Sequence, residues 1–173
     1  MMLRDSVAVF AARALAIYAD RVQPKVTLPA PLNLVTDGAS LLWHLDIYEH
    51  RVPKQVWDDA AASTECTYPK SGIPFADVHM RLVAAKAGRR ARLDQRIDDF
   101  GRRLADDELA PGPIVSAICC AALAIANGDC GGCERILEPA ACELVRIGGS
   151  CGAAIKVRTA SRLSRYTGML SAR

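Results

Sequence analysis

The sequence predicts an all-α fold of antiparallel helical hairpins stacked on one another. Three observations predict it. Half of the residues are apolar while only 5% are aromatic, and alanine, the best intrinsic helix former, supplies much of the apolar share. Apolar residues recur every three to four positions, and no stretch alternates long enough for a sheet. Two glycine-centred turns, Ala87-Gly88-Arg89 and Asn127-Gly128-Asp129, stand forty positions apart between segments rich in small apolar residues. Units that cannot bury a face alone must stack to do so.

Taken in order, residues 5–22 form a first helix, capped by Asp5 or Ser6, with Val7, Phe10, Ala11, Ala14, Ile17 and Tyr18 along one stripe. Pro24, Pro29 and Pro31 exclude regular helix from 23–35, giving an N-terminal unit of 1–35 (helix plus proline-containing linker) and a helical-repeat domain of 36–173. Thr36 and Asp37 cap a second helix to about His50. Pro53 suits the first turn of a third helix, to about Cys66. Tyr68–Pro74 reads as a loop, Phe75–Ala87 as a fourth helix ended by Gly88. The fifth helix, about 90–106, places Leu93, Ile97, Phe100 and Leu104 on one face. Its other faces mix Arg92, Arg96, Arg102 and Arg103 with Asp94, Asp98 and Asp99, the pattern of a solvated face laced by i,i+4 pairs. Helix six, about 113–126, is apolar nearly all round and therefore buried. Helix seven follows Asp129 and is expected to kink near Pro139. Gly148-Gly149 stops it, and a last helix covers about 153–166.

The net charge of +3 points to a soluble protein and does not call for nucleic acid. The apolar run from Val7 to Ala19 is interrupted by Arg13, so a secretory leader or membrane span is not expected there. Seven cysteines without a leader read as reduced thiols in a cytoplasmic protein.

Several residue groups could carry chemistry. Asp77 and His79 lie near a helix start, where free N–H groups orient a carboxylate and His79 could move a proton. Arg146, Gly148, Gly149 and Ser150 could seat an anion on backbone N–H groups, with Arg146 as counter-charge. Cys151 with His79 is the one nucleophile–base pairing the motifs make spatially plausible. Cys130-Gly131-Gly132-Cys133 resembles a redox or metal pair, but no strand precedes it, and Cys142 and Cys151 follow at nine-residue intervals unlike a zinc ribbon. No metal site and no cofactor are expected. The two glycines weaken the start of helix seven by about 1 kcal/mol each without an evident return.

The stretch from about Ser40 to Cys151 resembles the C-terminal half of the family of tetratricopeptide repeat protein thirty-eight. The resemblance rests on Leu41-Leu42-Trp43-His44-Leu45, Phe75-Ala76-Asp77-Val78-His79-Met80, the two glycine turns, and Arg146-Ile147-Gly148-Gly149-Ser150. It implies a tetratricopeptide-like α-solenoid and a family member that is diverged or truncated. Family members usually carry asparagine where Ala76 stands and histidine where Cys151 stands. The function expected is a helical-repeat scaffold that binds a protein or peptide partner, or self-associates as a homo-oligomer. The alternative is an enzyme or small-ligand binder whose pocket combines Asp77, His79, Arg146, Gly148, Gly149, Ser150 and Cys151. Membrane and nucleic acid are not expected partners.

Overall fold

The computed structural model describes residues 2–22, 32–48, 50–106, 108, 112–140 and 142–143. Every regular element among them is helical: α1 (Met2–Ile17), continued by a π-helical turn (Tyr18–Val22), α2 (Leu32–Ile47), α3 (Lys54–Thr67), α4 (Pro74–Lys86), α5 (Arg90–Ala105), α6 (Gly112–Ala126) and α7 (Cys130–Leu137). No strand occurs among the described residues, as the apolar spacing predicts. None of the described helices is long and apolar enough to cross a membrane.

Two boundaries differ from the sequence reading. The second helix begins at Leu32, inside the stretch assigned to the linker, so the linker does not reach residue 35. Thr36 therefore sits within the helix, and its hydroxyl donates back to the Leu32 and Asn33 carbonyls, both at 3.1 Å, instead of capping. α7 is short. It gives way to a turn over residues 138–140, next to Pro139. The expected helix at 153–166 and the Gly148-Gly149 stop lie outside the described residues.

α4 lies at the centre. It packs against α2, α3, α5 and α6, and every residue from Ala76 to Ala84 is buried. A helix with no wet face must be surrounded on all sides. The core that surrounds it takes Leu42 and Trp43 from α2, Trp57 and Ala61 from α3, Phe100 from α5, Ile118 from α6, and Cys133 and Leu137 from α7. First helices of successive hairpins touch one another, α2 on α4 and α4 on α6, while α6 also holds α7.

The two glycine turns close their hairpins with the same bonds. Arg89 N–H reaches the Ala84 carbonyl at 2.9 Å and Gly88 N–H the Ala85 carbonyl at 3.2 Å. Forty residues on, Asp129 N–H reaches the Ala124 carbonyl at 2.8 Å and Gly128 N–H the Ile125 carbonyl at 2.9 Å. This is the pairing by which a left-handed residue satisfies a helix's last carbonyls. Gly88 and Gly128 take φ of +71° and +77°. Arg90, just past the first turn, donates from Nη1 to Asn127 Oδ1 of the second at 3.1 Å, tying the two turns edge to edge. At the other end, Tyr18 is buried against Gly38, where an added Cβ would lie 3.1 Å from the Tyr18 ring.

Because both turns are open around the glycine Cα, a side chain there meets only the strain of the left-handed backbone. Gly88→Ala and Gly128→Ala are each expected to lower stability by about 1–2 kcal/mol, and by similar amounts. Urea unfolding of the two single variants checks the equivalence.

Candidate functional site

α4 starts with Pro74 in its first turn, which fixes the dihedral angle a helix start needs and lacks only a donor that would be unpaired there. Asp77 follows in that turn and is fully buried. Its two carboxylate oxygens are both engaged. Gly72 N–H donates to Oδ2 at 2.8 Å, and Arg96 Nη1–H of α5 donates to Oδ1 at 3.0 Å. Arg96 also donates from Nη2 to the Tyr68 carbonyl. The pair therefore fastens the 68–73 loop between α4 and α5. Burial pulls the Arg96 guanidinium below its ordinary pKa, and Asp77 pulls the other way.

Arg103, two turns further along α5, completes the fastening. It donates from Nη1 to the Ser71 carbonyl at 2.6 Å and from Nε to Glu108 Oε2 at 2.9 Å. Gly72 sits beneath it with φ of +148°, and a Cβ there would overlap the Arg103 guanidinium. The backbone angle favours glycine, and a Cβ would push the Arg103 guanidinium off the Ser71 carbonyl.

Arg81, one turn after Asp77 on the same face of α4, is also fully buried. Its Nη2–H donates to the Arg96 carbonyl at 2.9 Å, and its guanidinium carbon lies 4.8 Å from the centre of the Phe100 ring. The flat, weakly hydrated guanidinium suits such stacking better than an ammonium would. Its Nε–H has no hydrogen-bond partner among the described residues. The Cys119 thiol of α6 lies beside it. Arg81 favours the thiolate, but burial outweighs that effect and pushes Cys119 from 9.0 up to about 12. A thiol held neutral at physiological pH is a packing residue and a poor nucleophile.

His79 occupies another side of the helix. At about 100° per residue it is roughly 160–200° around from Asp77 and Arg81. Its ring packs on Phe75 with centres 4.7 Å apart, and Nδ1 lies 2.8 Å from the Phe75 carbonyl. A carbonyl only accepts, so Nδ1 carries the proton. The two sequence-predicted residues on α4 thus do not share a site: Asp77 faces α5 and the loop, and His79 faces its own preceding turn. Arg146, Gly148, Gly149, Ser150 and Cys151 lie outside the described residues.

A polar cleft of about 20 Å³ lies among Glu65, Pro69, Arg92, Gln95, Arg96 and Asp99, room for a single water. Its walls carry both signs of charge. Glu65 Oε2 accepts from Arg89 Nη1 at 3.3 Å, and its other oxygen is buried without a partner among the described residues.

The Cys130–Cys133 segment forms the first turn of α7. Asp129 caps α7, accepting from Gly132 N–H at 2.7 Å. A Cβ on Gly132 would stand 2.6 Å from the Asp129 carboxylate carbon. The glycine thus gives room to the cap, a benefit the spacing alone does not reveal. Cys133 is buried in the core. No group of three or more metal-binding side chains occurs among the described residues.

Sequence reasoning missed Arg81, Arg96, Arg103 and Gly72. The α5 arginines alternate with aspartates, which imitates a solvated face, and Arg96 and Arg103 instead turn toward α4 and its loop. No family model, curated protein or solved structure matches the chain.

Two outcomes are expected. Gly132→Ala in an Asp129→Ala background should stabilise by about 1 kcal/mol, the ordinary gain of alanine over glycine in a helix. In the wild type the gain should vanish because the new Cβ displaces the cap, a difference that a four-variant thermal-unfolding cycle reads directly. Alkaline titration supplies the second. Folding holds Cys119 neutral up to about 12, and burial likewise holds Tyr18 at about 12 against an ordinary 10.0. The unfolded chain releases these protons first, so stability should be full below pH 9 and fall from there to pH 12. Tyr18→Phe and Cys119→Ala should flatten that fall in pH-dependent chemical denaturation.

Proposed function

We propose that the chain is a helical-repeat scaffold of the tetratricopeptide-like α-solenoid type, which binds a protein or peptide partner. The observation that carries the reading is the pair of identically bonded turns forty residues apart, joined by Arg90 and Asn127. It is reinforced by the stacking of first helix on first helix through α2, α4 and α6, the contact pattern of an array in which each unit leans on the next. Kinship with the family of tetratricopeptide repeat protein thirty-eight is part of the same proposal and rests on the sequence motifs.

The partner face we assign is on α2. While Leu42, Trp43 and Leu45 turn inward, Asn33, Asp37, His44 and Tyr48 remain exposed at spacings of four, seven and four, which is one stripe along the helix and its final turn. Tyr48 is 64% exposed, and a tyrosine offers a large rigid surface with a polar tip, the property that makes it a frequent energetic anchor in interfaces. His44 is held in place by Nδ1 donating to the Ser40 carbonyl at 2.8 Å.

The pocket reading draws less support. Asp77 spends both carboxylate oxygens on Gly72 and Arg96, and the cleft near it is water-sized, far from the several hundred Å³ a small-molecule site needs.

Panning a random displayed-peptide library on the full chain tests the scaffold reading. Selected peptides should lose at least about tenfold in affinity, roughly 1.4 kcal/mol, against Tyr48→Ala, and change little against Arg102→Ala, an exposed position on α5. Peptides indifferent to Tyr48, His44 and Asp37 would contradict the assigned face.

A further inference from the structure

Among the described residues, three large apolar side chains that stay in water fall within nine positions of one helix. Val9, Phe10 and Ile17 of α1 are 66%, 70% and 52% exposed. α1 enters the core by a narrow seam, with Ala11 and Tyr18 buried and Leu15 packed beside them. Beyond that seam Ala12, Arg13 and Ala16 are exposed with Val9, Phe10 and Ile17. A contiguous apolar face of this kind on a helix marks a docking surface.

The charges on that face indicate what docks. Arg13 and Asp20 are both exposed. Each lies two residues after an inward side chain, Arg13 after Ala11 and Asp20 after Tyr18, so each points away from the body. They stand seven residues apart with opposite signs, on either side of Ala16 and Ile17. Turned end for end, a second α1 places its Asp20 against Arg13 and its Arg13 against Asp20. A face that complements itself after such a rotation is the requirement for a two-fold dimer. Ala12 and Ala16 are exposed on the same face and small enough for close approach at the crossing. Phe10 then reaches the end of the partner's π-helical turn, at Val22. Asp20 already holds Arg21 through Nε at 2.5 Å, but that pair is exposed on both sides and exchanges at little expense.

We propose that α1 pairs antiparallel with the α1 of a second copy, across Ile17, with Arg13 and Asp20 forming two symmetric ion pairs. One short helix per copy offers less than a standard interface, so the dimer is weak and salt-sensitive. This goes beyond the scaffold reading and is independent of it, since α1 is separate from the α2 face.

Sedimentation equilibrium of the full chain from about 10 µM to about 1 mM in low salt tests it, across the range where small interfaces associate. Wild type should dimerise in that range, and Phe10→Asp and Ile17→Asp should each weaken association at least tenfold. Both positions are exposed, so circular dichroism should show unchanged helix content. Arg13→Asp alone and Asp20→Arg alone should each be monomeric, while an equimolar mixture of the two should dimerise, because each cross pair then joins opposite charges. A wild type that stays monomeric at 1 mM, a dimer untouched by Phe10→Asp, or a mixture that fails to associate would overturn the proposal.

Discussion

The structure depends on keeping the middle of one helix out of water. α4 is buried from Ala76 to Ala84, and that span includes Asp77, His79 and Arg81. A buried charge is tolerated only where partners replace its hydration. The arrangement around α4 answers that demand. Asp77 is met by Arg96 and by the Gly72 amide, Arg81 by the Arg96 carbonyl and the Phe100 face, His79 by the Phe75 carbonyl. One residue of α5, Arg96, serves both charged groups: its side chain holds Asp77, its backbone carbonyl holds Arg81, and its second amine end holds the Tyr68 carbonyl. Arg96 thus ties α5 to α4, and together with Arg103 it holds the 68–73 loop.

Polar partners of this kind do more to specify an arrangement than to strengthen it. The Coulomb attraction of Asp77 and Arg96 is largely offset by the desolvation of both, so the pair adds modest net stability while penalising any packing that would separate them. The apolar share of the core, from Trp43 and Trp57 through Leu82 to Ile118, supplies the bulk of the driving force. The same division commits both carboxylate oxygens of Asp77 to partners within the fold. The polar atoms there are spent on one another, and the cleft beside Arg96 has the size of a water.

Much of the fold was legible in the sequence. The helical class, five of the seven described helices within a few residues, and the hairpin turns at Gly88 and Gly128 followed from period and from glycine's access to positive φ. The start of α2 was not, because the prolines before it argue equally for a linker and for a helix that begins directly after the last of them. The candidate site was less legible. Asp77 and His79 were found as polar residues near the start of a helix, yet their burial and their partners were hidden, and their separation to different sides follows from a spacing of two. An arginine among aspartates on a helix reads as solvated unless the neighbouring helix is known, and Gly72 becomes meaningful only once Arg103 lies above it. The Gly132 amide and the Asp129 cap illustrate the same limit at short range, since the clash that selects glycine depends on where the carboxylate folds back.

A double-mutant cycle across Asp77 and Arg96 addresses the organising role of the buried pair most directly. Stability of Asp77→Ala, Arg96→Ala and the double variant is measured by urea unfolding. The account predicts that each single change is severe, about 3–5 kcal/mol for Asp77→Ala because Arg96 is left buried and uncompensated. It also predicts that the double variant is far less destabilised than the sum, with a coupling of about 2–3 kcal/mol. Additive losses would mean the two side chains act independently, and the central place given to Arg96 would be wrong.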